Sequence, residues 1–220
     1  MRRLLHDNEL SITMIGLFFV FVAAQSITGF LDYNSTEKEH GQPPVGYIQY
    51  LGSGDFVEAV FENWESEFLQ MGLYVLLTAV LFQRGSAESK DPEAQHPDDA
   101  DYGEDMGGAD VPWPVRRGGW TLRLYENSLS IALLALFVFS FVLHAIGGAS
   151  AYSQEQLEHG GPPVTVLGYL ATPRFWFESF QNWQSEFLAI EAMIVLSIYL
   201  RQRSSSQSKP VASPHDKTGG

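Results

Sequence analysis

Two sets of side chains in this sequence have the types and spacing for chemistry. Asn63, Ser66 and Glu67 stand at i, i+3 and i+4. On a helix that spacing puts an amide, a hydroxyl and a carboxylate on one face. Asn182, Ser185 and Glu186 repeat the arrangement 119 positions later. Such a face can hold a proton, an ion or the polar end of a ligand. It can equally fasten a loop, and the expectation is that Glu67 and Glu186 each bond to the outer segment of their own hairpin, residues 40–45 and 159–164. Those segments begin with His40 and His159, each directly after a glutamate. Imidazole and carboxylate both bind zinc, but a single His per copy gives no metal-ligand set. A His at a helix C-terminus also bonds free carbonyls and suits the helix dipole, and it can act as a pH-sensitive contact.

His144 and Glu191 lie in apolar surroundings, where the equivalent positions of the first copy are Gln25 and Gly72. Glu191 is eight residues beyond Trp183, about 12 Å along a helix. An ionisable group inside a membrane is a functional candidate by default. The alternative is a polar pair that fixes helix packing. Trp64 and Trp183 read as anchors at the membrane interface. No P-loop, dinucleotide fingerprint, nucleophile elbow or HExxH occurs. No residue set calls for a metal or a cofactor.

These groups sit in elements that occur twice. Shifting residues 8–90 by 119 aligns them without a gap on residues 127–209, and about two in five positions are identical. Glu39-His40-Gly41-x-Pro43-Pro44-Val45 returns as Glu158-His159-Gly160-x-Pro162-Pro163-Val164, and Asn63-Trp64-x-Ser66-Glu67-Phe68-Leu69 as Asn182-Trp183-x-Ser185-Glu186-Phe187-Leu188. Each copy opens with a run free of formal charge, residues 10–31 and 129–151. A run of about 20 apolar residues spans a bilayer core. Each copy closes with a shorter run, residues 68–82 and 187–200, that continues from an aromatic-rich stretch. The pattern predicts an all-α fold: an integral membrane four-helix bundle of two parallel-repeat transmembrane hairpins, with short outward-facing interfacial segments. The first run is read as retained, because a signal peptide would have no second copy in mid-chain.

Lys and Arg cluster before the first helix, after the second, before the third and after the fourth. By the positive-inside rule both termini are cytoplasmic and the His-Gly-x-Pro-Pro-Val segments face outward. The organisation expected is a first hairpin at 1–90, an acidic cytoplasmic linker at 91–119 read as disordered, a second hairpin at 120–209 and a disordered tail at 210–220. The net charge of -13 misleads, since residues 91–115 hold eight acidic side chains and no Lys or Arg. No basic patch points to nucleic acid. The partner the sequence names is the lipid bilayer of the cell membrane, and a homo- or hetero-oligomer would cover helix surface that four helices leave bare. With no cysteine, disulfides and thiol chemistry are excluded.

The Asn127-Ser-Leu-Ser, Glu158-His-Gly-x-Pro-Pro-Val and Gln181-Asn-Trp-x-Ser-Glu-Phe-Leu motifs, with their first-copy counterparts, resemble a bacterial family of small multi-pass membrane proteins known only as a domain of unknown function. The resemblance implies a membrane location and no activity. From the residues, the first expectation is a binding, permeation or accessory module with a polar site on the outward face, and not an enzyme. The alternatives are a small membrane enzyme using His and Glu at the outer leaflet, and a subunit of a larger assembly.

Overall fold

The computed structural model describes residues 5–91 and 111–219. Its described residues form helices and no strand. The long elements are α1 (Glu9–Glu39), α3 (Gly54–Val80), α6 (Ser128–Glu158) and α8 (Pro173–Tyr199). Shorter ones are α2 (Tyr47–Leu51), α4 (Trp113–Arg117), α5 (Gly119–Glu126) and α7 (Val166–Leu170). The bounds of α1 and α6, of α2 and α7, and of α3 and α8 are offset by 119 positions, the same shift that aligns the sequence. α1 and α6 are long and apolar enough to cross a membrane. Their large side chains are largely bare: Phe19 and Phe21 are 63% and 66% exposed, Phe139 54%. The chain divides into two compact units, Met1–Phe61 with Leu143–Phe175, and Glu62–Val142 with Trp176–Gly220.

In the first unit both helix exits follow one plan. Gly41 and Gly160 have φ of +74° and +76°, the left-handed region where glycine carries no steric cost. Gln42 N–H donates to Glu37 O at 2.8 Å and Gly161 N–H to Gln156 O at 2.7 Å, closing a Schellman motif at each end. Two prolines then forbid further helix. Each extended segment is fastened by a side chain from the helix it has left: Val45 N–H donates to Asn34 Oδ1 at 2.7 Å, and Val164 N–H to Ser153 Oγ at 3.0 Å. This hold, expected from Glu67 and Glu186, is thus supplied by two short polar side chains one turn or more before each exit. Ser53 and Thr172 cap α3 and α8, accepting from the amides of Phe56 and Phe175.

The core of this unit is aromatic and also doubled. Tyr50 packs against Tyr33 and Phe56, with ring centroids 5.5 and 5.4 Å away. Tyr169 packs against Tyr152 and Phe175 at 5.7 and 5.5 Å. Each central tyrosine lies over a glycine: a Cβ on Gly29 would come within 2.2 Å of Tyr50 Oη, and one on Gly148 within 2.4 Å of the Tyr169 ring. The backbones of α3 and α6 meet at a second glycine site. A Cβ on Gly147 would stand 2.6 Å from Glu58 N, and one on Gly54 2.6 Å from Ala151 N.

In the second unit, Ser66 and Ser185 hydroxyls donate to the carbonyls of Asn63 and Asn182, both at 2.8 Å. Trp183 Nε1–H donates at 3.0 Å to Glu65, which is fully buried. The turns after α3 and α8 also match. Gln83 N–H donates to Ser89 Oγ and Gln202 N–H to Ser208 Oγ, both at 2.9 Å. The tail, whose composition reads as disordered, is placed here as far as residue 219. Lys209 is 1% exposed, and its ammonium donates to the carbonyls of Gly85, His215 and Lys217. Gly219 N–H adds a bond to Ser86 O at 2.9 Å. Backbone carbonyls paired with an ammonium replace the apolar burial that composition alone would demand. Residues 113–117 of the linker are helical as α4, with Arg117 over the Trp113 ring at 5.2 Å. The acidic stretch 92–110 lies outside the described residues.

Candidate functional site: an acidic cavity in the first unit

The first unit encloses a cavity of about 470 Å³. One wall is the last three turns of α1, where Gly29, Asp32, Tyr33, Thr36, Glu37 and His40 recur at helical spacing. The end of α6 supplies Gln154, Glu155, Glu158 and, just past it, His159. The starts of α3 and α8 add Asp55, Glu58 and Arg174. These helices are long enough to carry polar turns beyond their apolar runs, and those turns face one another here.

The charge in this space is unbalanced. Among the described residues six carboxylates line it, and Arg174 is the lining group with a permanent positive charge. Even with both imidazoles protonated, six negative charges face three positive ones. Arg174 pairs with Glu155 and lies 5.6 Å over the Tyr152 ring. His40 Nδ1 is 3.7 Å from Glu158. His159 Nδ1 bonds the Glu155 carbonyl at 2.8 Å, which is the helix-end role. Glu58 accepts from Tyr169 Oη at 2.7 Å, and Gln154 donates to Tyr33 Oη at 3.0 Å. Glu37 is 8% exposed. Burial pushes the Asp55 carboxyl above the usual range, and the charges of Glu158 and Glu155 push the same way against the pull of Arg174.

The structure brings His40 and His159 to one cavity. Asn63, Ser66, Glu67, Asn182, Ser185 and Glu186 belong to the second unit. There Glu67 is exposed, the hydroxyls of Ser66 and Ser185 are engaged by their own helices, and the Glu186 carbonyl accepts from Gln70 at 3.0 Å. Trp64 is half-buried, and Trp183 packs edge-on against Phe180 at 5.5 Å while bonded to Glu65. His144 is fully buried in the first unit, stacked at 4.8 Å on Phe175, with a ring nitrogen within 4.8 Å of a Glu58 carboxylate oxygen. Glu191 is exposed and lines a cleft of the second unit.

Asp32, Glu37, Asp55, Glu58 and Glu155 carry most of the cavity's charge and escape a reading centred on repeated motifs. Their counterparts are Ala151, Gln156, Arg174, Phe177 and Thr36, so the doubled pattern does not mark them. The available signal was the spacing of Asp32, Thr36, Glu37 and His40, and of Gln154, Glu155 and Glu158, each on one helical face past the apolar run.

Neither the comparison with curated proteins nor that with solved structures yields a match. A family model described as Domain of unknown function (DUF6766) matches residues 1–220, and the chain belongs to that family.

Proposed function

We propose that the chain is an integral membrane protein that crosses the bilayer four times, as two hairpins of the same orientation, and that it binds cations in the acidic cavity on its outer face. It acts as a binding or permeation module. The observation that carries this reading is the excess of carboxylates over cationic groups in a single concave site. A cavity lined by one sign of charge concentrates counter-ions, and rings of Asp and Glu select cations at channel mouths. The membrane part rests on the two long apolar helices with their bare aliphatic and aromatic surfaces and on the paired apolar runs of α3 and α8. The outward assignment rests on the Lys and Arg at the opposite helix ends.

Calorimetric titration of the full chain in a nonionic detergent tests the binding, with Ca²⁺ and the diamine putrescine as probes at low salt. Saturable binding of either cation, weakened by combining Asp32→Asn with Glu37→Gln and by added salt, supports the proposal. Absence of saturable binding for both, or binding that the double variant leaves unchanged, rules it out.

A further inference from the structure

The second unit holds a cavity of another character. It measures about 320 Å³ and lies between the inner parts of α3 and α8 and the turn that follows α3. Tyr74, Phe82 and Phe187 bring aromatic side chains to it, and Leu77, Leu81, Ile190 and Ile194 bring aliphatic ones. Two carboxylates, Glu88 and Glu191, share that lining, and among the described residues no Lys, Arg or His does. Glu88 accepts from Tyr74 Oη at 3.2 Å, and the Gln207 amide comes within 2.9 Å of it. Both donors are neutral, so they solvate the charge without balancing it. Glu191 receives no hydrogen bond and no cation among the described residues.

Glu88 is half-buried and Glu191 exposed at the open side of the cavity, so both charges are within reach of an entering cation, which two negative charges of one sign attract. Three aromatic side chains in the lining suit a cation, which a π-face attracts, better than an anion. A hard metal ion would need more oxygen ligands than two carboxylates supply. A neutral acyl chain would fill the apolar part and leave both charges uncompensated. We propose that this cavity binds a small organic cation with an apolar body, of the aryl- or alkyl-ammonium class, with its charge against Glu88 and Glu191 and its body against Tyr74, Phe82 and Phe187. The volume falls in the range of small-molecule pockets, roughly 300–1,000 Å³. No residue of the outer acidic cavity belongs to this lining, so the two sites are tested separately.

The probe is benzyltrimethylammonium, titrated calorimetrically into the full chain in nonionic detergent, with benzenesulfonate as an aromatic body of opposite charge. Saturable binding of the cation is expected, and none of the sulfonate. Glu191→Gln and Glu88→Gln should each weaken binding by about three- to tenfold, the loss of one partly solvated charge contact. Ile190→Trp, which fills the cavity, should abolish it. Asp32→Asn with Glu37→Gln should leave it unchanged. The proposal is overturned if the cation does not bind saturably, if the sulfonate binds as well, or if Glu191→Gln and Ile190→Trp bind like the unaltered chain.

Discussion

Gly147→Ala is a sharp test of the packing that builds the acidic cavity. Gly147 lies where α6 crosses the start of α3, two turns before the cavity wall at Gln154. The added Cβ would stand 2.6 Å from Glu58 N, 3.0 Å from Gly54 O and 3.0 Å from a Val57 methyl, whereas ordinary contact begins at 3.4 Å. Two of the three neighbours are backbone, so no rotamer change relieves the overlap, and the helices must part by 0.8 Å, which is 3.4 less 2.6. A gap of that size forfeits a quarter to a half of each dispersion contact across the crossing. Overpacking costs about 1–3 kcal/mol, and the rigid neighbours place this site at the upper end. Alanine returns up to about 1 kcal/mol in helix propensity. The net expectation is a loss of about 2 kcal/mol, or a fall in Tm of roughly 4–8 °C for a chain of this size. Gly16→Ala is the control, since nothing lies within 4 Å of a Cβ there; it should be neutral or stabilising. The assay is thermal unfolding in detergent, followed by circular dichroism. If Gly147→Ala melts at or above Gly16→Ala, the close backbone crossing is not present.

Further outcomes follow from the same unit. Ser153→Ala removes the acceptor of Val164 N–H and should cost about 1 kcal/mol, read as earlier proteolysis or faster hydrogen exchange of residues 159–164 as well as a lower Tm. Asp55 has a folded-state pKa raised by burial and by Glu158 and Glu155. The folded state therefore holds a proton that the unfolded state has released, and this group's contribution to stability is present at low pH and is lost as pH rises through the raised pKa. Asp55→Asn should consequently be more stable than the unaltered chain at pH 7, with the difference closing as pH falls through the raised pKa and absent below 3.8. A difference independent of pH would show that Asp55 is not the titrating group.

Much of the fold was legible because it depends on local chemistry. Glycine before a proline pair stops a helix wherever it stands, and the Schellman ends at Gly41 and Gly160 follow from that. The Ser53 and Thr172 caps and the helix bounds offset by 119 are likewise properties of short windows. The cavity was legible only in its two histidines, because it forms where polar turns of separate helices meet, a property of packing. Residues that differ between the copies, such as Glu58 beside buried His144, carry charge that a search for shared motifs passes over. Tyr50 and Tyr169 are shared, but their role depends on the glycines beneath them, Gly29 and Gly148, some twenty residues away in sequence. The tail at 210–219, held through Lys209 just before it, shows the opposite case. Its composition argues against order, and a buried ammonium among carbonyls, at Lys209, supplies what composition does not reveal.

The measurement that tests the membrane reading most directly is single-cysteine labelling in intact cells, which the absence of native cysteine makes unambiguous. Cysteines at Gln42 and Gly161 mark the two outer segments, and one at Ala100 marks the acidic linker. A membrane-impermeant maleimide should modify the proteins carrying cysteine at 42 and 161, and should modify the one at 100 only after the cells are opened. Labelling at 100 alone in intact cells would reverse the orientation and move the acidic cavity to the cytoplasmic side. A chain that leaves the membrane fraction altogether would contradict the four-span reading.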